Sequence, residues 1–148
     1  MSMYKRHKRQ ILLCVIVTTA AAFMFDLSFE PIAEIAVTVA SIAMGVYIAA
    51  VSALLGSQYA KELKETPDKE QPTKTLLGVL AGYFRYAGIS CILLIVVSCL
   101  FLIPSNISFS PLLLKAGGAV SYGLFSSNIL LLWLILLFLV NSLGKSVK

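Results

Sequence analysis

Residues that could perform catalysis or hold a metal ion are few in this chain, and they are scattered. It has one histidine and three cysteines, and the cysteines lie far apart in apolar stretches without a CxxC spacing. This shortage argues against a histidine- or cysteine-based metal site, a disulfide framework and most acid–base enzymes. The sequence also lacks a phosphate-binding glycine loop, a nucleophile elbow and a carboxylate pair in a plausible pocket. We therefore expect no catalytic residue, no cofactor, no metal and no enzymatic activity.

Arg85 is a candidate functional charge, because it lies within a long apolar segment. A charged side chain at the bilayer centre costs roughly 2.5–3.5 kcal/mol on insertion scales and marks a functional site by default. Its neighbours Tyr83, Phe84 and Tyr86 are typical of the membrane interface, where a long arginine side chain reaches the head groups. Two interpretations stay open: an interfacial residue in contact with lipid, which is favoured, and a buried functional charge.

Three acidic residues, Asp26, Glu30 and Glu34, are spaced by four positions. On a helix they would share one face, and several copies in an oligomer would form an acidic ring of the kind that attracts cations in channels. Pro31 disfavours helix at the residue before it. We therefore favour solvated loop acids, with the acidic ring as the alternative.

The composition indicates a membrane protein. Of the 148 residues, 59% are hydrophobic and 13% are charged, whereas a soluble domain carries about 25% charged residues. Four stretches lack charged residues, and the last three exceed the about 20 residues that a helix needs to cross the hydrocarbon core. They do not alternate apolar and polar residues as barrel strands do. We expect an all-α integral membrane protein in which residues 1–148 form one bundle of four transmembrane helices. The predicted spans are 9–27, 32–56, 76–103 and 119–141.

Positive charges are distributed unevenly over the segments that flank these spans. From the beginning of the chain onward, the flanks hold four, none, four, one and two Lys or Arg residues. Cytoplasmic loops carry the excess of Lys and Arg, so we predict an N-in, C-in topology with the 57–75 loop in the cytoplasm. Each basic residue near an anionic leaflet contributes about 1 kcal/mol, so we assign Lys5, Arg6, Lys8 and Arg9 to lipid anchoring.

The first span also imitates a secretory signal peptide, with KRHKR, an apolar run and the alanines 20–22 in order. The alanines lie inside the apolar run, and Phe23, Met24 and Phe25 continue it. We therefore favour an uncleaved span, with cleavage near residue 22 as the alternative.

Small residues at four-residue spacing let helices approach closely in lipid. In span two they form a stripe that we take as the contact face of that helix, broadened by Ala36, Ala40 and Ala43, and span three opens with a GxxxG pair. Asn128 in span four seeks a hydrogen-bond partner. A bond within the chain is favoured over a subunit contact or a polar pore lining. The residues assigned to helix packing and oligomerisation are Ser41, Gly45, Ala49, Ala53, Gly78, Gly82 and Asn128.

The longest polar stretch is SQYAKELKETPDKEQPTK, between spans two and three. Its four basic and four acidic residues cancel, so we expect no direct nucleic-acid binding, which requires an excess of positive charge. It is the best docking surface for a cytosolic protein, and a solvated hinge is the alternative. The residues assigned to docking are Lys61, Glu62, Lys64, Glu65, Lys69 and Lys74.

The layout of KRHKR, four spans and the compact SQYAKELKETPDKEQPTKTLLGVLAGYFRY loop resembles small bacterial membrane proteins of defence operons. It looks like the membrane subunits of the Kiwa anti-phage system, in topology and size over the whole chain. The resemblance implies a homo-oligomeric inner-membrane protein that acts with a cytosolic, nucleic-acid-associated partner during phage infection. It transfers no functional residue to this sequence.

Two hypotheses of function follow. The first is a non-enzymatic sensor or scaffold subunit of the bacterial inner membrane that recruits a cytosolic partner through residues 57–75. The second is an ion channel or small transporter subunit, which draws on Arg85, Asn128 and the acidic turn. A membrane enzyme ranks third, because the sequence offers no catalytic group for one.

Overall fold

The computed structural model describes residues 4–68, 73–103 and 110–146, with the side chains of 58, 59, 62 and 141–146 outside the description. Within these ranges every regular secondary-structure element is a helix. One isolated antiparallel bridge joins Pro67 to Thr75. The all-α prediction is confirmed there. The helices are α1 (Lys5–Met24), α2 (Glu30–Leu55), α3 (Gln58–Glu65), α4 (Leu76–Leu102) and α5 (Pro111–Ser146).

Three helices are long and apolar enough to cross a membrane, namely α2, α4 and the Pro111–Val140 part of α5. Their mean hydropathies are 2.1, 2.2 and 2.4, which is the pattern of a multi-pass membrane protein. The predicted bounds of the second and third spans match α2 and α4 closely. Helix α5 begins eight residues before the predicted 119, because Pro111 fixes the backbone angle that a first helical turn requires.

The turn between α1 and α2 separates Asp26 from the other two acidic residues, Glu30 and Glu34. Asp26 has a positive φ of 54° and stands outside both helices, whereas Glu30 opens α2 with Pro31 in its first turn. Asp26 forms an ion pair with Lys115 of α5, with 3.1 Å between the carboxylate oxygen and the ammonium nitrogen. Glu30 and Glu34 therefore share an exposed face of α2, and Asp26 does not lie on it.

Helix α2 packs on α4 through alanines. Ala33, Ala36, Ala40 and Ala43 are buried together with Tyr47, and they face buried residues of α4. The predicted stripe of Ser41, Gly45, Ala49 and Ala53 lies beside this face and is exposed. Within one chain, the contact face of α2 is thus the alanine part of the predicted surface, and a role of the exposed stripe in oligomerisation stays a prediction.

Helix α1 lies against α5, and Gly123 marks a point of close approach. A Cβ atom at Gly123 would overlap the Thr19 hydroxyl and come within 3.2 Å of the Val15 Cγ1 atom and 3.3 Å of the Val15 carbonyl oxygen. The next turn of α5 adds a hydrogen bond of 2.9 Å between the hydroxyls of Ser126 and Thr18. Glycine at 123 therefore lets the two backbones come together.

We predict that Gly123→Ala lowers the free energy of unfolding by about 1–3 kcal/mol, the usual cost of overpacking. Gly56→Ala is the matched control, because Gly56 has a φ of −83° and a Cβ atom there would come no closer than 3.9 Å to the Ser52 carbonyl oxygen. Alanine there should add about 0.4–1 kcal/mol by restricting the unfolded chain. Reversible unfolding of both variants in mixed micelles measures the difference. Equal stability changes in the two variants would contradict the close approach.

Candidate functional site

Four polar side chains meet where α1 begins, at the end of the bundle that also carries α3. The Tyr4 hydroxyl donates a hydrogen bond to the Asp68 carboxylate, and His7 Nδ1 shares a hydrogen bond with the Tyr83 hydroxyl. The rings of Tyr4, His7 and Tyr83 contact one another edge to face, with centroids 5.5–6.2 Å apart. Asp68 is 1% exposed and Tyr83 is 2% exposed. We call these residues, Tyr4, His7, Asp68 and Tyr83, the Asp68 cluster.

The backbone around Asp68 is held by hydrogen bonds across a short loop. The Asp68 amide donates to the Lys74 carbonyl at 2.8 Å, and the Leu76 amide donates to the Thr66 carbonyl at 3.1 Å. Thr75 then caps α4, because its hydroxyl accepts a hydrogen bond from the Gly78 amide at 3.2 Å. The loop is therefore joined to both the start of α4 and the start of α1.

Helix α3 is anchored on one side and exposed on the other. Ala60 and Leu63 are buried, and the Ser57 hydroxyl accepts a hydrogen bond from the Ala60 amide at the start of the helix. The other side carries charged residues that contact solvent. We call this surface the docking face, and it consists of Lys61, Lys64 and Glu65.

The remaining docking residues are placed unevenly. Lys74 is half-buried beside the loop described above. The side chain of Glu62 and the whole of Lys69 lie outside the described residues. The docking prediction therefore has a structural counterpart at Lys61, Lys64 and Glu65.

The basic residues assigned to lipid anchoring lie at the same end of the bundle. All four are exposed on the first turns of α1, and the Lys8 ammonium lies 5.8 Å from the centre of the Tyr86 ring. These cations and the docking face thus lie at the same end of the bundle. The residues are Lys5, Arg6, Lys8 and Arg9.

A second polar group lies inside the bundle, between α4 and α5. The Cys91 thiol donates to Asn128 Oδ1 at 3.0 Å, and Asn128 Nδ2 donates to the Ser90 hydroxyl and to the Leu124 carbonyl, each at 3.0 Å. The hydroxyls of Ser90 and Ser127 share a further bond of 3.2 Å. The Asn128 amide therefore has its partners within the chain. We call Ser90, Cys91, Ser127 and Asn128 the Asn128 network.

Two buried hydroxyls contrast with this network. Those of Tyr47 and Ser98 have no hydrogen-bond partner in the part of the chain that the structure describes. Ser98 lies two turns beyond Ser90 and Cys91 on α4 and is 0% exposed. Ser98 therefore serves as a control for Ser90 and Cys91 of the same helix, whose side chains are hydrogen-bonded.

Arg85 and the two glycines of the GxxxG pair lie towards the outside of α4. Arg85 and Gly78 are exposed, and Gly82 is half-buried. Arg85 is thus not a charge buried between the helices of one chain. Contact with lipid or with a second chain remains open to it.

The described ranges offer few residues for metal binding or thiol chemistry. These ranges contain no group of three or more His, Cys, Asp or Glu residues that could hold a metal ion. The three cysteines are free thiols, of which Cys91 is buried, Cys14 is half-buried and Cys99 is exposed.

Comparison of the chain with protein-family models, with curated proteins and with solved structures finds no match in any of the three. Functional inference therefore depends on the side chains themselves. Two places gather polar side chains: the Asp68 cluster at the end of the bundle and the Asn128 network inside it.

Sequence reasoning missed the Asp68 cluster. Asp68 was one of four acids in a polar loop, and Tyr83 was counted with the interfacial aromatic residues. The partners of the two hydrogen bonds are 64 and 76 residues apart, so no local spacing connects them. One available signal was the position of Asp68 directly after Pro67, which favours a turn.

We predict that the Asn128 network contributes measurably to stability. In a double-mutant cycle, Asn128→Leu and Ser90→Ala should couple by about 0.6 kcal/mol, the average for hydrogen bonds between membrane helices. Ser98→Ala removes an unbonded hydroxyl and should leave stability unchanged or slightly raised. Unfolding in mixed micelles measures all the variants. A coupling of zero, or a larger loss from Ser98→Ala than from Ser90→Ala, would contradict the network.

We also predict that Asp68→Ala loosens α3. Losing a buried hydrogen bond to a charged group costs about 1.5–3 kcal/mol, and proteolysis follows the population of the open form. Tryptic cleavage after Lys61 and Lys64 should therefore quicken about tenfold or more. Glu65→Ala removes an exposed acid from the same segment and is the control. Equal cleavage rates in the two variants would show that Asp68 does not hold the segment.

Proposed function

We propose that this protein is a non-enzymatic scaffold or sensor subunit of a bacterial inner membrane, which recruits a cytosolic protein through the docking face. The observation that carries the proposal is the structure of α3. Buried Ala60 and Leu63 fix the helix, and the Asp68 cluster fixes the loop that follows it. Charged side chains on a fixed helix lose little freedom on binding, which favours recognition of a partner.

The proposal includes four spans with both ends of the chain in the cytoplasm. Support comes from the course of α1 along the bundle. It contacts Tyr83 of α4 at its beginning and Ser126 of α5 midway, and the Asp26 that follows its end pairs with Lys115 of α5. Its 20 residues correspond to about 30 Å of helix, close to the thickness of the hydrocarbon core. The basic first turn would then reach the head groups.

Self-association and a role in phage defence complete the proposal. The exposed stripe of Ser41, Gly45, Ala49 and Ala53 is the type of surface that membrane helices use for close contact. The resemblance in layout to Kiwa membrane subunits supports anti-phage defence as the setting, with a cytosolic protein rather than nucleic acid as the direct partner.

The channel or transporter alternative has less support. The Asn128 amide is bonded within the chain rather than offered to a pore, and Arg85 lies on the outside of α4. Of the three acidic residues that the alternative places in a ring, Asp26 is paired with Lys115 instead. An oligomer could still enclose a pore between chains, so flux measurement in liposomes remains the test of this alternative.

The docking face is tested by Lys61→Ser with Lys64→Ser in the full chain, purified in mild detergent from its host. We expect about tenfold less of a stoichiometric cytosolic partner, since losing 1.4 kcal/mol of binding free energy weakens affinity tenfold. Lys145→Ser with Lys148→Ser is the control. It removes two positive charges from a segment that the proposed topology puts on the same side of the membrane, and it leaves α3 intact.

Two outcomes would contradict the proposal. In one, native mass spectrometry finds a stoichiometric partner that the α3 variant retains. In the other, the assembled protein carries no cytosolic partner and conducts ions in liposomes.

A further inference from the structure

A groove of about 230 Å³ lies between α2 and α4. Its walls are apolar, with Met44, Tyr47 and Val51 on α2 and Phe84 and Gly88 on α4. The rings of Tyr47 and Phe84 meet edge to face, with centroids 6.1 Å apart. Pockets that enclose drug-sized molecules measure roughly 300–1,000 Å³. An apolar groove of this size can take part of an acyl chain but not a whole drug-sized molecule.

The groove exists because α4 has no side chain at Gly88. A Cβ atom there would meet nothing within 4 Å, so the space beside the backbone is open. Ile48 and Ser52 of α2 also line the groove and are exposed. The groove therefore opens on the outside of the bundle. Both of its helices are long and apolar enough to cross a membrane, which places the opening against lipid.

A positive charge lies beside this opening. Arg85 follows Phe84 directly and precedes Gly88 by three residues, so it occupies the neighbouring stripe of α4. Its side chain is exposed, and the ion pair found in the described ranges does not involve it. Long side chains on a helix lean towards its first residue. We therefore expect the guanidinium of Arg85 to reach towards the Leu76 end of α4, which the proposed topology places at the cytoplasmic head groups.

We propose that the groove holds one acyl chain of an anionic phospholipid whose phosphate pairs with Arg85. The apolar walls of the groove replace the contacts that the acyl chain makes with other lipid tails in the bilayer. The planar guanidinium donates two parallel hydrogen bonds to phosphate, a geometry that arginine provides and lysine does not. Charge complementarity at the rim selects an anionic lipid over a second copy of this chain, since a second copy would bring another Arg85 to a twofold contact.

The test measures lipid retained by the detergent-purified protein, using native mass spectrometry with added phosphatidylglycerol or phosphatidylcholine. Wild type should keep about one phosphatidylglycerol per chain and bind it in preference to phosphatidylcholine. Gly88→Leu fills the groove and should lower occupancy about tenfold. Arg85→Gln should lower the preference for phosphatidylglycerol about tenfold relative to wild type while the acyl chain still binds. Lys5, Arg6, Lys8 and Arg9 are unchanged in this variant, so any preference that they give is common to both proteins.

Two further variants make the result decisive. Val51→Phe fills the groove from α2 and should act like Gly88→Leu, which guards against a folding defect in either variant. Val46→Phe enlarges an exposed residue of α2 that neither lines the groove nor belongs to the small-residue stripe, and it should bind lipid like wild type.

Three results would overturn the proposal. Unchanged occupancy in both Gly88→Leu and Val51→Phe would exclude an acyl chain from the groove. A preference for phosphatidylglycerol that is as strong in Arg85→Gln as in wild type would separate Arg85 from the head group. Dissociation of an oligomer by the filling variants without lipid loss would assign the groove to a second copy of the chain. None of these readouts depends on a cytosolic partner.

Discussion

The close contact between α1 and α5 is the constraint on which the arrangement of the bundle depends. Gly123 lets the α5 backbone approach Val15 and Thr19, and the hydrogen bond between the hydroxyls of Ser126 and Thr18 follows on the next turn. Because α1 is held there, Tyr4 and His7 at its beginning lie next to Asp68 and Tyr83. A small residue in the middle of one helix thus determines which side chains meet at the end of the bundle.

The two ends of the bundle differ in a way that suits a one-sided interaction. At the Lys5 end, four basic residues, the docking face and the Asp68 cluster lie together. At the other end, the charge of Asp26 is paired with Lys115. Between them, the Asn128 network satisfies its amide inside the chain. In hydrocarbon, hydrogen bonds of this kind hold helices in register. The interior thus fixes the positions of the helices, and in the proposed function the Lys5 end binds the partner.

Much of the fold was predictable from the sequence, and the site was less so. Long uncharged runs located α2 and α4 within a few residues, because hydropathy alone decides which segments lipid accepts. The early start of α5 was missed, since Lys115 made its first turn look like a loop. Asn128 was recognised as needing a partner, but its partners Ser90 and Cys91 follow from how α4 and α5 pack. The Asp68 cluster needs the same tertiary information, because its members come from three distant segments.

Membrane-impermeant thiol labelling of single cysteines tests the four-span bundle most directly. In a chain whose native cysteines are replaced by serine, one cysteine is introduced by Lys5→Cys, Asp26→Cys or Lys64→Cys, all at exposed positions. Four spans with the Lys5 end in the cytoplasm predict that intact spheroplasts label the Asp26 variant, and that the other two react after permeabilisation. Labelling of the Lys5 and Asp26 variants from the same side would show that α1 does not cross the membrane, and it would contradict the proposed bundle.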